Sequence, residues 1–265
     1  MKKNLSVFKI GGAVIDDIRQ LEIFLQGFAA VASKKILVHG GGKSVSSMSG
    51  RLGLEVKMID GRRITDEETL EVVKMMLPGV ANKTIVAMLQ KYGCDALGFT
   101  GADGDMIKAK KRPPKDGIDY GFVGDIVRVN GDRLAGILEL DYTPVFTAMT
   151  HDGKGQLLNT NADTIASSLA VALSGFYETE LYYCFEKPGV MKDVSDEKSR
   201  IPVLSPSLYR SYKKSGAIHS GMIPKIDNAF EALARGVSRI HICHYRDIAN
   251  LNSAVSEVGT LIVNH

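Results

Sequence analysis

Short apolar runs that close on glycine and lead into amphipathic helical segments are what most restricts this 265-residue chain. Such runs read as strands buried on both faces, and helices between them carry the chain back to the same end of a sheet. The candidates lie at residues 5–10, 36–39, 95–99, 144–149, 180–185, 239–244 and 261–263. Their alternation with helices predicts an α/β fold, a three-layer αβα sandwich around a largely parallel central sheet. Ile18, Leu21, Phe24, Leu25 and Phe28 recur at three- and four-residue spacing and predict an early helix with one apolar face. Thr65-Asp66-Glu67-Glu68 has the form of a capping box, opening a helix through Leu70, Val73 and Leu77 that Pro78-Gly79 is expected to end. Further helices are expected at 84–92, 164–173 and 226–234, with Gly93, Gly175 and Gly236 behind them. Two stretches break the alternation and read as β-hairpins: residues 54–64, and 106–110 paired with 122–129 around Pro113-Pro114-Lys115-Asp116-Gly117.

At this length a single core begins to divide, and the helix closing at Leu173-Ser174-Gly175-Phe176 predicts lobes of residues 1–175 and 176–265. The 33 basic residues are nearly matched by 30 acidic ones, so a net charge of +3 gives no reason to expect a nucleic-acid partner. No apolar run approaches the roughly 18 residues that span a bilayer, and no signal peptide precedes the first strand. A cytoplasmic protein without a membrane partner is therefore expected. Cys94, Cys184 and Cys243 sit in apolar, strand-like settings without CxxC spacing and read as reduced core residues.

The chemistry gathers in a few polar segments. Lys9-Ile10-Gly11-Gly12 ends the first strand. Its lysine is either a solvated strand end or a cation beside glycines that let another group approach. His39-Gly40-Gly41-Gly42-Lys43 is not a P-loop, since Leu37 stands where that template needs glycine, nor a dinucleotide fingerprint, since Val45 takes the third glycine position. What remains is a glycine turn that either presents backbone N–H groups and a helix dipole to an anion or merely turns the chain. In Gly221-Met222-Ile223-Pro224-Lys225 the lysine falls in the first turn of a helix, where the dipole disfavours a cation. A broken local rule of that kind often marks a functional site. Asn159-Thr160-Asn161-Ala162-Asp163 holds more polar groups than one N-cap requires. The surplus amides suit a substrate, and the carboxylate suits the two lysines. One carboxylate among amides is a poor cage for a hard cation, so no resident metal is expected. Arg63, in Gly61-Arg62-Arg63-Ile64-Thr65, is either a planar fork for a carboxylate or a solvated hairpin residue. The six histidines lack metal-ligand spacing and read as structural. Cations aimed by glycine-rich backbone, with a carboxylate to hold them, are what a phosphoryl group in flight requires.

Taken in order, and with Ala81-Asn82-Lys83 and Gly101-Ala102-Asp103-Gly104, these segments resemble the amino acid kinase family over essentially the whole chain. Within it they are most similar to the branch acting on N-acetylated glutamate in arginine biosynthesis. The resemblance implies an amino-terminal lobe that binds the acyl-glutamate and dimerises, and a carboxy-terminal lobe that binds MgATP. It implies that Lys9 and Lys225 contact the transferring phosphoryl group and that Asp163 organises both. Gly41, Gly42, Arg63 and Asn159 would hold the acyl-glutamate, with Gly11, Gly12 and Asn161 at the phosphate and backbone N–H groups of the four glycines as donors. Glu186, Gly189, Gly221 and Met222 would line the nucleotide. Family enzymes are homodimers, and arginine-inhibited hexameric relatives carry an added amino-terminal helix. Because the first strand begins almost at Met1, an arginine-insensitive dimer is expected.

Two departures stand out. Phe185-Glu186-Lys187-Pro188-Gly189 replaces the family's usual Thr-Asp-Val-Pro-Gly, and His219 and Ser220 replace an expected threonine and glycine. Arg62 stands where relatives usually have an apolar residue. It either points to solvent, as alternation along a strand would have it, or adds a cation for an acyl group bearing its own carboxylate, such as N-succinyl. Alternatives to the kinase reading are a sister enzyme such as a glutamate 5-kinase, or a nucleotide- or amino-acid-binding regulator that kept the fold.

Overall fold

The computed structural model describes residues 2–59, 61–218, 222–251 and 258–264. The chain opens with β1 (Asn4–Ile10), the short α1 (Gly12–Asp16), α2 (Ile18–Ala30), β2 (Lys34–His39) and α3 (Gly42–Arg51). The two-stranded hairpin of β3 (Met58–Ile59) and β4 (Arg62–Arg63) leads into α4 (Glu67–Lys74), a π-helical turn (Met75–Ala81) and α5 (Asn82–Lys91). Then come β5 (Ala96–Phe99), β6 (Ile107–Lys111), β7 (Gly124–Val129), α6 (Gly131–Glu139), β8 (Thr143–Thr147), β9 (Met149–His151) and β10 (Leu157–Asn159). The remainder runs through α7 (Ala162–Leu173), β11 (Glu178–Phe185), β12 (Val203–Leu204), α8 (Pro206–Ser215), α9 (Ile223–Ala234), β13 (Arg239–His244) and β14 (Thr260–Ile262).

Every predicted strand forms. The central sheet has the order β12-β14-β13-β11-β1-β2-β8-β5, parallel throughout except for the antiparallel β13–β14 pair. Two apolar layers flank it, as a three-layer sandwich requires. In β1, Leu5 and Val7 join the layer containing Ile165 and Leu169 of α7 and Ile226 of α9. Phe8 and Ile10 face the opposite layer, with Phe24 and Phe28 of α2 and Ile85 of α5. Full burial of each such side chain contributes about 1.5–3 kcal/mol, which fixes the register of the strand: a slip of one residue would exchange the two faces. The expected second hairpin is present as β6–β7, and an unforeseen hairpin, β9–β10, joins it to make a four-stranded sheet. Helices α6 and α8 were likewise not marked by the sequence patterns.

Three local expectations are corrected. Ile18 is 59% exposed, because Asp17 caps α2 by accepting from the N–H groups of Arg19 and Gln20, and that start turns Ile18 outward. Asp66, not Thr65, caps α4, accepting from Thr69 N–H at 2.9 Å. Pro78-Gly79 does not end the helix. Proline removes a donor and presses on the carbonyl four residues back, and a π-turn accommodates both by widening the helix. Counted through that turn, Glu67–Lys91 is a 25-residue helix whose apolar window has mean hydropathy 1.3, contrary to the expectation that no segment is so long and apolar. Leu70, Val73, Leu77, Ile85 and Leu89 along it are buried in the two apolar layers, so one face of it packs into the core.

Candidate functional site

Alternation along β1 puts Lys9 on the same face as Leu5 and Val7, towards α7. Asp163 occupies the first turn of α7, where the helix dipole favours a carboxylate, and Lys225 the first turn of α9. The three side chains meet. Lys225 donates to Asp163 Oδ2 at 2.8 Å, and the Lys9 ammonium stands 2.7 Å from Oδ1 as an ion pair outside hydrogen-bond alignment. Only 7% of Lys9 and 6% of Asp163 is exposed. Burial drives the Asp163 carboxyl up, but the charges of Lys9 and Lys225 override it and hold the pKa at about 2. The group is a carboxylate at any physiological pH. Two cations on one anion leave the cluster with a single net positive charge, pointed into a cleft of about 900 Å³ that Asp163 and Lys225 line together with Arg62, Arg112 and Asn161.

Two smaller cavities open beside it. One, of about 210 Å³, is lined by Gly41, Gly42, Arg63 and Asn159, as expected of one site, with Arg62 and Arg112 added. Arg63 is buried in β4; its Nη2 donates to Gly42 O at 2.8 Å and Ser46 Oγ at 2.7 Å, while its Nη1 is buried without a partner among the described residues. A buried guanidinium N–H left unpaired is an unsatisfied donor facing a cavity. Asn159 is fixed by its Nδ2 donating to Thr65 Oγ1 at 3.0 Å. Gly41 has φ +145°, and a Cβ there would stand 2.8 Å from Leu77 Cδ2; at Gly42 a Cβ would meet nothing within 4 Å. The turn thus needs glycine at Gly41 for the chain's own packing, whereas space lies open above Gly42. His39 fixes the turn from below: burial lowers its pKa to about 4, so it is neutral, contacting Gly40 O through Nδ1 and Asn82 Nδ2 through Nε2.

The other cavity, of about 240 Å³, is largely apolar and is lined by Glu186, Gly189, Met222 and Lys225, with Phe185 and Ile218. Gly221 lies outside the described residues. Gly189 is also required by packing, since its φ is +155° and a Cβ would fall 2.5 Å from Thr260 Oγ1.

One expected role is corrected. The N–H of Gly11 already donates to Cys184 O at 3.1 Å, so it is no free donor for a phosphate. What Gly11 supplies is closeness, because a Cβ there would come within 3.2 Å of Phe185 Cδ1; Gly12 follows it as the first residue of α1. Asn161 caps α7 with its Oδ1, which accepts from Thr164 N–H at 3.0 Å, and lines both the cleft and the Arg63 cavity. The cysteines are placed as expected: Cys94, Cys184 and Cys243 are free and buried.

Sequence reasoning missed Arg112. It follows β6 at the Pro-Pro turn, donates through Nε and Nη2 to Asp125, and leaves Nη1 buried at the Arg63 cavity without a partner among the described residues. The only signal was a third basic residue after Lys110-Lys111, and the hairpin register was needed to find its carboxylate. Arg62, by contrast, is exposed yet lines both the cleft and this cavity, so its two expected readings are compatible.

The profile of the amino acid kinase family matches residues 4–244. The chain is 48% identical to the acetylglutamate kinase of Cytophaga hutchinsonii over 261 residues, 98% of this chain and 99% of that protein. It is 46% identical to the acetylglutamate kinase of Phocaeicola vulgatus over 263 residues, 99% of each. Among solved structures, smu.665 from Streptococcus mutans superposes with TM-score 0.80 at 25% identity, covering 98% of this chain and 99% of the other. Carbamate kinase from Giardia lamblia bound to AMP-PNP superposes with TM-score 0.68 at 13% identity, over 100% and 99% of the two chains, a likeness of fold alone. A family match that spans the central sheet except β14 and the helices carrying Asp163 and Lys225, with nearly half the residues identical along two full-length relatives, places this chain in the amino acid kinase family.

Proposed function

We propose that this chain transfers the γ-phosphoryl group of ATP to the γ-carboxylate of an N-acyl-L-glutamate, N-acetyl-L-glutamate in the first instance, making an acyl phosphate and ADP for arginine biosynthesis. The observation that carries the reading is the meeting of Lys9 and Lys225 on the buried carboxylate of Asp163. A γ-carboxylate is ionised at neutral pH, with a reference pKa of about 4.3, so it attacks phosphorus without a general base. One carboxylate oxygen bonds to the γ-phosphorus as the bond to the bridging β–γ oxygen breaks, and ADP keeps that electron pair. The task left to the protein is to align two anions whose repulsion at contact is about 4 kcal/mol at an effective dielectric of 20. The net positive charge of the lysine–aspartate cluster offsets that repulsion most where the in-flight phosphoryl group carries its charge.

The lining of the cavities supports the division of labour. The Arg63 cavity is built from residues 40–162 and the Phe185 cavity from 185–225, while the cleft between draws on both. Residues 1–175 then hold the acyl-glutamate, with its α-carboxylate on the unpaired Nη1 of Arg63, and residues 176–265 hold the adenine nucleotide in the apolar cavity beside Met222. Mg²⁺ travels with the phosphates, because both oxygens of Asp163 are occupied by lysines. The enzyme is read as a cytoplasmic homodimer that associates through the first lobe, where Met75 and Val80 are 52% and 54% exposed on the long helix.

The test is to incubate purified protein with MgATP and N-acetyl-L-glutamate, trap the acyl phosphate with hydroxylamine and follow ADP release. Turnover of free glutamate in preference to the acetylated substrate would instead indicate a glutamate 5-kinase. A second reading, an acyl group with its own carboxylate, is favoured by Arg62 and by the unpaired Nη1 of Arg112 at the same cavity. Comparing kcat/KM for N-acetyl- and N-succinyl-glutamate decides it, and a strong preference for the acetyl form removes the second reading.

A further inference from the structure

The ring of Phe185 touches more of the charged cluster than any role in filling space requires. Along β11, Leu181 and Tyr183 belong to the apolar layer on the α7 side, and Phe185, next in the alternation, packs against that layer too. Tyr183 is the register partner of Lys9 on the neighbouring strand, so Phe185 lies just beyond Lys9 at the carboxy-terminal edge of the sheet. The Lys9 ammonium lies 5.2 Å from the centre of its ring and the Lys225 ammonium 5.4 Å, both within the range at which a cation is drawn to an aromatic face. Gly11 admits the ring, since a Cβ there would stand 3.2 Å from Cδ1. The same ring lines the cavity read above as the nucleotide site.

We propose that Phe185 is a positioning residue for phosphoryl transfer, an uncharged second anchor that holds both ammonium groups at the mouth of the nucleotide cavity. The inference rests on the kinase reading. Two lysines sharing one carboxylate repel each other, and a flexible ammonium on a four-carbon stem needs a second contact to stay aimed. A second carboxylate would supply one, but it would cancel the cluster's remaining positive charge and repel the arriving phosphate. An aromatic face attracts the cations through its quadrupole and adds no net charge, so the field at the phosphoryl group is kept.

Leucine keeps the apolar volume and removes the ring, whereas tyrosine keeps the ring, so the pair separates the platform from mere packing. Phe185→Leu is expected to lower kcat roughly tenfold, with KM for ATP and for N-acetylglutamate within about twofold of the parent, and Phe185→Tyr to stay within about twofold in all three. Equal turnover by the two variants would overturn the proposal. If Phe185→Leu does not fold, Phe185→Met takes its place. A readout independent of turnover is the ¹³C-edited NMR spectrum of lysine-labelled protein. Ring-current-shifted Hε signals of Lys9 and Lys225, assigned through Lys9→Arg and Lys225→Arg, should appear in the parent and in Phe185→Tyr and vanish in Phe185→Leu. Absence of those shifts in the parent would also overturn the proposal. Lack of any phosphoryl transfer by the parent would sink the kinase reading instead, leaving the spectrum to judge the contact.

Discussion

A carboxylate buried between two ammonium groups keeps its charge only while both cations are present, which makes Asp163, Lys9 and Lys225 one unit. Lys225→Ala should lower kcat by about 10²–10³, the usual loss for one preorganised charge donor at a transition state. Its thermal midpoint should fall as well, because buried Asp163 loses one of the two cations that offset its burial. Near-normal turnover would remove the assigned role. The depressed pKa of Asp163, from 3.8 to about 2, also sets a stability window. The folded value lies below the unfolded one, so this ion cluster contributes about 2 kcal/mol above pH 4, lost as the pH falls towards 2. Urea titrations at pH 6 and pH 3 should show about half of that loss, roughly 1 kcal/mol, in the parent and a smaller one in Asp163→Asn. Arg63→Ala should raise KM for the acyl-glutamate by about 10- to 100-fold and leave KM for ATP unchanged, as expected when one charge-assisted contact to a substrate carboxylate is removed. At this scale the sequence was most informative where a residue broke a local rule, as Lys225 does at a helix N-terminus. It said nothing of Phe185 as a partner of the lysines, because that contact depends on strand register and not on spacing along the chain.

Elements were legible where a period or a punctuating residue was strong. The strands were found because residues buried on both faces leave an uninterrupted apolar run, and the glycine turn after β2 because three consecutive glycines have few other uses. Gly41→Ala tests the second point. Its φ of +145° and the 2.8 Å approach of a Cβ to Leu77 should cost about 2–4 kcal/mol in chemical denaturation, with activity lost alongside. The long helix through Pro78 was misread for the converse reason. Proline and glycine are strong local breakers, but Leu70, Val73 and Leu77 before them and Ile85 and Leu89 after them are all buried, and tertiary burial outweighs a local preference. The β9–β10 hairpin escaped notice because each strand is three residues long, too short for a period to show.

At the level of the whole molecule, the proposed homodimer predicts a species of twice the 28.7 kDa chain mass in sedimentation velocity, and a charged substitution such as Val80→Glu should shift it towards the single chain. Sedimentation of the parent as a single chain would remove the dimer. By itself the sequence determined the layered α/β architecture, the order of the strands along the chain and the identity of the charged residues, because burial periodicity and glycine chemistry are local properties. Only the tertiary structure decided that Lys9, Asp163 and Lys225 share one point, that Arg112 joins the cavity of Arg63, and that the N–H of Gly11 is already taken. Those facts follow from which strands lie side by side and in what register, and that is settled by packing between segments far apart along the chain.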